Sequence, residues 1–452
     1  MLTQRHAGVL LHARSLPSGD FGDATRFLRF LASAGFRCWQ LLPLGPSGAG
    51  HSPYSPLSAF AGDPGLVPAP QRAEPVSRES LGRFIEREQD WLRDYALFMV
   101  IRARQDKRPW WQWPEPLRQR DRAALRKVEQ GEAKLLTAVM RDQVRFERAW
   151  QALRAQAVAL GIDLFGDLPM FVMADSADAW SRPELFRLGP EGLPTHLAGV
   201  PPDAFTDRGQ CWNCPVYHWP AMQNDGFGWW RRRFRHELRR FDLLRWDHFR
   251  GLLEGWEIPV PAGDDTPDPR SGAWRKVPGR ALLRQLAERH RPLPVVAENL
   301  GIITPAVEEL RRAFGLPGMH VLQFAFDGNA DNPHLPGLHE EQGVAYCGTH
   351  DNDTALGWAS GLDEAMRLRV AETLGIPTKD LAGGTLRATL DSTSCLAVLT
   401  MQDLLGLGSA ARLNTPGQAD GQWRWRFSWE QVSSDLARSW AGAVVRADRQ
   451  PA

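Results

Sequence analysis

The sequence is poor in cysteine, in net charge and in long apolar runs. Its 452 residues include five cysteines, a sparse and odd number that argues against a disulfide framework and for a reducing compartment. A formal net charge of +1 supplies no field to attract nucleic acid or an acidic membrane surface. No apolar stretch approaches the roughly 20 residues that span a bilayer, and residues 7–11 are too short for a signal-peptide core. We therefore expect a cytoplasmic protein with neither nucleic-acid nor membrane partners.

Tyrosine is also scarce, with four residues, whereas tryptophan is abundant, with nineteen. An indole ring has a flat apolar face and an N–H that can donate to a hydroxyl, so it is well suited to stacking on sugar rings. Core packing accounts for many of these residues. The excess is compatible with a carbohydrate site but does not establish one.

Short apolar runs predict eight β-strands that are covered on both faces, as in a parallel sheet. The runs are residues 8–11, 39–42, 162–166, 243–247, 295–298, 320–324, 344–348 and 396–400. Helical patterns lie between several of them. Thr304-Pro305 marks the start of one helix and Gly315 its end, and Gly161 ends another helix directly before a strand. Repeated strand–helix–strand units predict a parallel α/β fold.

Eight such strands favour a (β/α)8 TIM barrel over a doubly wound open sheet, since no glycine-rich phosphate loop follows the first strand. We interpret residues 1–452 as one catalytic barrel. Two intervals between strands are too long for simple connections. Residues 65–160, mostly helical, and residues 173–240 are therefore predicted to be insertions around the C-terminal face of the barrel. Long ordered loops at that face usually form the walls of a binding cleft.

Three of the predicted strands end in or just before an acidic residue, namely Asp247, Glu298 and Asp351. Burying a carboxylate is costly unless the group is paired or used. The C-terminal strand ends of a barrel converge on one site, and several carboxylates around one pocket can cleave a glycosidic bond. Taken singly, each acid could instead be an ion-pair partner, a helix cap or a turn former.

The residues around these acids suggest different roles for them. Arg245 lies two positions before Asp247 and shares its face of the strand, and a neighbouring guanidinium favours the ionised carboxylate that a nucleophile needs. Glu298 follows an apolar run, where a raised pKa would suit a general acid. Cys211 and Cys214 form a CxxC pair without a second pair or a histidine pair at zinc-finger spacing, so no metal site is predicted.

Longer motifs extend through nearly the whole chain. They are WQLLPLGP at residues 39–46, SPY at 52–54, SAFAG at 58–62, GDLP at 166–169, AGVPPD at 198–203, DHFRG at 247–251, GLPGM at 315–319, GTHDND at 348–353, QD at 402–403 and LGS at 407–409. In this combination the chain resembles the 4-α-glucanotransferases of the amylomaltase (disproportionating enzyme) type, within the α-amylase barrel superfamily. The loop at residues 198–203 marks that family in particular.

The resemblance implies transfer of a segment of an α-1,4-glucan to the 4-hydroxyl of a second glucan or of glucose. The mechanism would be a retaining double displacement through a covalent glucosyl-enzyme, with no metal or organic cofactor. Asp247 matches the nucleophile, Glu298 the general acid/base, and Asp351 the carboxylate that grips the sugar hydroxyls. Arg245 and His350 match substrate-binding residues at the cleaved sugar. The implied partners are α-1,4-glucans and malto-oligosaccharides.

Further implied substrate-binding residues lie in two loops. Asp203, Gln210 and Trp212 match a loop over the acceptor side, and Tyr54 lies in a loop linked to glucan binding. Two alternatives remain open at this stage. An α-glucan hydrolase would use the same carboxylates, and a glucan-binding protein would have lost catalysis, although the intact trio of acids speaks against that second alternative.

The chain departs from the family pattern at a few positions. Asn213-Cys214 stands where relatives usually have Gly-Asn. These two positions belong to the acceptor-side loop, so the shape of that loop does not follow from the resemblance. Asn299 replaces a common aspartate after the predicted acid/base and is expected to alter the charge beside it. Gln422 replaces a common asparagine. None of these positions is one of the three carboxylates, so activity is expected to survive.

Overall fold

The computed structural model describes residues 4–202, 207–261, 266–418 and 420–450. Its strands are β1 His6–Leu10, β2 Cys38–Gln40, β3 Asp163–Leu168, β4 His196–Val200, β5 Gln210–Pro215, β6 Leu243–Trp246, β7 Glu254–Pro259, β8 Ala273–Lys276, β9 Val295–Ala297, β10 Gly318–Val321, β11 Gly343–Tyr346 and β12 Leu396–Thr400. Eight of them form one parallel sheet in the order β10-β11-β12-β1-β2-β3-β6-β9.

The eight-stranded sheet curves into a nearly closed barrel. Its two end strands, β9 and β10, meet where the Ala297 backbone N–H donates to the Pro317 carbonyl at 2.8 Å. The predicted (β/α)8 TIM barrel is therefore confirmed, and the open doubly wound sheet is excluded. Each of the eight predicted strands overlaps one strand of the barrel, with ends displaced by a few residues.

The alternation of side chains along each strand explains why the sheet closes on itself. One set fills the barrel interior and includes at least one residue from every strand: Leu10, Cys38, Phe165, Leu243, Val296, Met319, Val321, Val344, Tyr346, Leu396 and Val398. The alternate set, with Val9, Trp39, Leu164 and Leu244 among it, faces outward and packs on helices. Because both faces are buried, the strands are mostly apolar, and the exceptions include Asp167 near the end of β3 and Arg245 on β6.

The α-helices of the described residues surround this barrel. They are α1 Ala24–Ser33, α2 Ala69–Ala73, α3 Arg78–Arg87, α4 Leu92–Arg104, α5 Glu115–Arg118, α6 Arg122–Gly131, α7 Ala133–Ala159, α8 Ala177–Ser181, α9 Trp219–Asn224, α10 Gly228–Arg240, α11 Gly279–Ala287, α12 Pro305–Ala313, α13 Ala355–Gly361, α14 Glu364–Leu374, α15 Leu381–Asp391, α16 Met401–Leu404 and α17 Ser434–Arg446. Within the parts of the chain that the structure describes, no helix is long and apolar enough to cross a membrane.

The predicted helix signals around Thr304 and the two glycines are found in the structure. Helix α12 begins at Pro305, although the Thr304 side chain makes no capping hydrogen bond. Gly315 follows α12 with a φ of 63°, and Gly161 follows α7 with a φ of 65°. Glycine adopts this left-handed conformation without steric cost, which is why it ends both helices.

A second, antiparallel sheet lies outside the barrel, with strand order β5-β4-β7-β8. Two of its strands, β4 and β5, fall within residues 173–240. The other two, β7 and β8, follow β6, and none of the four strands was predicted from the sequence. The edge strand β5 is irregular, because its pairing with β4 shifts between Leu197 and Gly199. This strand carries Gln210 and Trp212, two of the three residues predicted for the acceptor side.

Candidate active site

A cleft with an empty volume of about 1710 Å³ opens at the carboxyl ends of the barrel strands. All three carboxylates singled out in the sequence, Asp247, Glu298 and Asp351, line it. The remaining lining comes from several strands and the segments that follow them: Gly50, Ser52, Tyr54, Ser55, Pro169, Phe171, Val200, Gln210, Trp212, Cys214, Arg245, His248, Leu300, Gly301, Phe324, Thr349, His350, Asn352, Asn414, Thr415, Pro416, Gly417, Gln418 and Trp423. Acids that are distant in sequence thus share one cavity.

Arg245, on β6, is the electrostatic centre of this cleft, with only 5% of its side chain exposed. Its Nη1 lies 2.9 and 2.8 Å from the two carboxylate oxygens of Asp167 and 3.0 Å from Oδ1 of Asp247. Its Nη2 lies 3.9 Å from Oε2 of Glu298. Burial alone would lower the pKa of Arg245, but these carboxylates, Asp167 foremost, raise it well above its usual value. One cation therefore organises three acids.

Glu298 follows β9 and points into the cleft with 12% of its side chain exposed. Oε2 accepts a hydrogen bond from the His248 backbone N–H at 2.5 Å, and Oε1 accepts one from the Leu300 N–H at 3.2 Å. Burial raises the pKa of Glu298 to about 8; Arg245 opposes this shift and Asp247 adds to it. A carboxyl group in these surroundings keeps its proton near neutral pH, as a general acid must.

Asp351 lies just beyond β11 and is held in the opposite state. Burial acts to raise its pKa, but the neighbouring His350 and a hydrogen bond from Asn414 outweigh that effect and lower the pKa of Asp351 to about 2. His350 Nε2 is 3.2 Å from Oδ2 of Asp351, and Asn414 Nδ2 donates to Oδ1 at 2.6 Å. The cleft thus contains one acid kept protonated and one kept ionised.

Tyr54 and Asp167 support this arrangement through contacts with His350 and Arg245. The Tyr54 hydroxyl donates to Oδ2 of Asp167 at 2.8 Å and lies 3.0 Å from His350 Nε2, while its ring stacks on His350 with centroids 5.2 Å apart. Burial, together with the Asp167 charge, raises the pKa of Tyr54 well above its usual value. Asp167 was not selected from the sequence, although it lies near the end of β3 as Asp247 follows β6. That shared position was the available signal.

Two of the predicted acceptor-side residues, Gln210 and Trp212, also line the cleft. Trp212 Nε1 donates to Oε1 of Gln210 at 3.0 Å, and the indole packs edge-on against His248 with ring centroids 4.8 Å apart. Phe171, which was not predicted from the sequence, extends this aromatic wall, with its centroid 6.0 Å from that of Trp212. The predicted Asp203 lies outside the described residues.

The loop that follows β12 supplies cleft residues that the sequence analysis missed, among them Asn414, Gln418 and Trp423. The turn-forming sequence NTPG at residues 414–417 signalled a turn, but nothing in the sequence located that turn at the cleft. Gln422 closes the loop, since its Oε1 accepts from the Thr415 backbone N–H at 2.6 Å. This glutamine therefore has a structural role in the loop that lines the cleft.

Asn299, which the sequence analysis predicted to replace an aspartate, is not part of the cleft lining. Its Nδ2 donates to Oε1 of Glu308 at 2.9 Å, and its Oδ1 accepts from the Met319 backbone N–H at 2.8 Å. A carboxylate here would face that of Glu308, whereas an amide can donate to it. An asparagine is thus better suited than an aspartate to this position beside the Glu308 carboxylate.

Comparison with known proteins agrees with this geometry. The family model for 4-alpha-glucanotransferases, glycoside hydrolase family 77, matches residues 8–74 and 68–432. A 4-alpha-glucanotransferase of Thermus thermophilus is 43% identical, over 95% of this chain and 96% of that protein. One from Aquifex aeolicus is 40% identical, over 94% of this chain and 95% of that protein. The chain belongs to the 4-alpha-glucanotransferase family.

Solved structures extend the similarity to three dimensions. The amylomaltase of Streptococcus agalactiae, determined in complex with acarbose, superimposes with a TM-score of 0.94 at 30% identity. The match covers 99% of this chain and all of that chain. The barrel, the small second sheet and the cleft between them are therefore compared over the full length of a relative.

Proposed function

We propose that the protein is a 4-α-glucanotransferase that moves a segment of an α-1,4-glucan to the 4-hydroxyl of a second glucan or of glucose. The observation that carries this proposal is the set of opposed protonation states in one cleft, with Glu298 kept protonated and Asp351 kept ionised around Arg245. Membership of a family named for glucanotransfer favours transfer over hydrolysis as the outcome.

In the first step, Asp247 attacks the anomeric carbon while Glu298 gives its proton to the glycosidic oxygen. The bond to the leaving glucan breaks, and an ester between the sugar and Asp247 forms. A retaining reaction of this kind places the two carboxyl groups about 5–5.5 Å apart. Contact with the same guanidinium, at 3.0 Å for Asp247 and 3.9 Å for Glu298, supports their assignment as such a pair.

In the second step, the deprotonated Glu298 takes the proton of the acceptor 4-hydroxyl, whose oxygen displaces Asp247 from the anomeric carbon. The configuration is inverted twice and hence retained. We assign Trp212, Gln210 and Asp203 to binding of the acceptor. Stacking on an aromatic wall positions a sugar hydroxyl and excludes the water that would otherwise compete with it.

Three more residues are assigned to the sugar that is cleaved. Asp351 and His350 bind its hydroxyls, with Asp351 favouring the distorted ring of the transition state. Tyr54 holds His350 in place by stacking and by its hydroxyl, 3.0 Å from Nε2. Residues 65–160 and 173–240 are assigned to insertions on a single catalytic barrel, and the second of them contributes Val200, Gln210, Trp212 and Cys214 to the cleft lining.

Product analysis with maltotriose tests the proposal. A transferase converts maltotriose to glucose together with malto-oligosaccharides longer than the substrate, whereas a hydrolase yields only shorter sugars. We expect maltotetraose and longer products to accumulate with glucose from the earliest time points. Shorter products alone would establish hydrolysis, and the absence of any product at high enzyme concentration would favour a glucan-binding protein.

A further inference from the structure

Two loops meet beside Asp351. One is the segment that follows β11, residues 349–354, and the other is residues 409–414, which follow α16. Three hydrogen bonds join them. Ser409 Oγ donates to Oδ2 of Asp353 at 2.6 Å, Arg412 Nη2 donates to the backbone carbonyl of Asp351 at 2.6 Å, and Asn414 Nδ2 donates to Oδ1 of Asp351 at 2.6 Å.

Arg412 joins both sides of this junction through a single guanidinium. While Nη2 reaches the carbonyl of Asp351, Nε donates to the carbonyl of Asn414 at 2.8 Å. Within the described part of the chain, no carboxylate lies within ion-pairing distance of the half-buried Arg412 side chain. Its contacts are therefore directional bonds to backbone, and the rigid planar fork fixes the separation of the two carbonyls.

We propose that Arg412 is a positioning residue for Asp351. It fixes the backbones of Asp351 and Asn414 relative to each other, and that spacing is what allows the Asn414 amide to hold one oxygen of the Asp351 carboxylate. The other oxygen faces His350 at 3.2 Å. Both carboxylate oxygens of Asp351 are therefore oriented, Oδ1 by the other loop and Oδ2 by the adjacent His350. This inference rests on the proposed function, which gives Asp351 its role on the sugar hydroxyls.

The expected effect on catalysis follows from where Asp351 acts. A carboxylate that favours the distorted sugar contributes more in the transition state than in the ground state. If its orientation relaxes, kcat should fall about 10- to 100-fold while KM changes little, because small misplacements have large effects on a preorganised group. Loosening of the Asn414 hydrogen bond should also raise the pKa of Asp351, because that bond helps to lower it.

The test uses the full-length enzyme with maltotriose, comparing R412A, R412K and S409A with the parent protein. Ser409 provides a matched control, since its hydroxyl joins the same two loops but contacts Asp353. We expect a 10- to 100-fold lower kcat in R412A. R412K should recover part of it, because one ammonium can reach one carbonyl. S409A should keep the kcat of the parent. Melting temperatures are measured for all variants.

A second readout separates positioning from simple destabilisation. The acid limb of the pH profile of kcat should move to higher pH in R412A and stay in place in S409A, because only R412A loosens the group that ionises. An unchanged kcat in R412A, or equal losses in R412A and S409A, would overturn the role of Arg412. If R412A does not fold, R412K alone decides by the same two measurements. An inactive parent protein would instead contradict the proposed function.

Discussion

Two buried arginines occupy opposite ends of the barrel in contrasting surroundings. At the carboxyl end of the strands, Arg245 is enclosed by the carboxylates of Asp167, Asp247 and Glu298. At the amino end, Arg449 is fully buried among backbone carbonyls. Its guanidinium donates to the carbonyl oxygens of Leu390, Ser392, Cys395 and His6. The same side chain thus has anionic partners at one end and neutral ones at the other.

The two environments shift the pKa values of the two arginines in opposite directions. Burial lowers the pKa of Arg449, because no nearby carboxylate compensates fully for the lost hydration. The acids around Arg245 instead raise its pKa. Arg449, which follows α17, joins that helix to the first residue of β1 and to the residue before β12, and so ties two neighbouring strands together at the amino end of the barrel. In barrels of this type, residues at the amino end serve stability and those at the carboxyl end serve chemistry. The predictions below examine that division.

The largest effect is expected from D247N, which removes the proposed nucleophile. Glucose release from maltotriose should fall at least about 10³-fold, since no other group can form the covalent intermediate. The melting temperature should stay close to that of the parent, because Arg245 keeps both bonds to Asp167. Glucan binding should persist, as measured by calorimetry with the inactive variant.

Asp268 provides the control for this change, since it is an exposed aspartate bonded to Arg270. D268N should leave both activity and melting temperature unchanged. Retention of more than a tenth of the activity in D247N would remove Asp247 from the proposed role. A large loss of stability would show instead that the carboxyl end also maintains the fold.

For Arg449, at the amino end, we expect a loss of stability without a loss of activity. R449M should lower the free energy of unfolding by about 3 kcal/mol, because it removes a buried guanidinium that donates to four backbone carbonyls at once. At 25 °C, kcat should be unchanged, since Arg449 lies at the far end of the strands from the cleft. Denaturant unfolding and maltotriose kinetics measure the two quantities. R438M is the control, because Arg438 is an exposed residue of α17 that pairs with Asp435. Equal stability of R449M and R438M would contradict a stabilising role for Arg449.

The barrel was predictable because its signal is local. Continuous apolar runs gave all eight barrel strands, although residues 320–324 were predicted where β10 is Gly318–Val321. Strands β4, β5, β7 and β8 escaped prediction, since they lie in a small outer sheet and are partly exposed. Burial on both faces leaves a readable pattern, whereas an irregular edge strand does not.

The site divides in the same way. Asp247, Glu298 and Asp351 stood out because each closes an apolar run. Arg245 and His350, which help to set these states, lie close in sequence to the acids, whereas Asn414 is 63 residues from Asp351. Arg449 and His6, which are 443 positions apart, make a contact that no sequence pattern indicates. Such pairings follow from the closure of the barrel, not from local spacing.

The stability of the folded protein should depend on pH through Glu298, at the carboxyl end of the barrel. The charged form of this group opposes folding, so its effect on stability can be compared with that of Arg449. The pKa of Glu298 is raised in the folded state, so folding favours its protonated form. This contribution is fully present below the unfolded pKa of about 4.3 and is lost as the pH rises towards the folded value. E298Q stays neutral throughout and escapes that loss.

E298Q should therefore match the parent near pH 4 and become more stable than the parent as the pH rises, by on the order of 2 kcal/mol at pH 8. Thermal unfolding from pH 4 to 9 measures the difference. E309Q is the control, since Glu309 is exposed and pairs with Arg280, and it should show no such trend. A constant difference across this range would mean that Glu298 is not held protonated by the fold.

The smallest effect is expected from Y54F, which removes one hydroxyl beneath the site. Asp167 would lose the Tyr54 donor but keep Arg245, and the phenyl ring could still stack on His350. We expect kcat for maltotriose to fall about 10-fold, the size of one hydrogen bond to a charged group, with a melting temperature within a few degrees of the parent. Tyr95 is buried in α4, away from the cleft lining, so Y95F serves as the control and should retain full kcat. If Y54F instead lost stability and kept its kcat, the contacts of Tyr54 would serve the fold and not the reaction, as is expected of Arg449. The two ends of the barrel would then not differ in role, although their arginines have different partners.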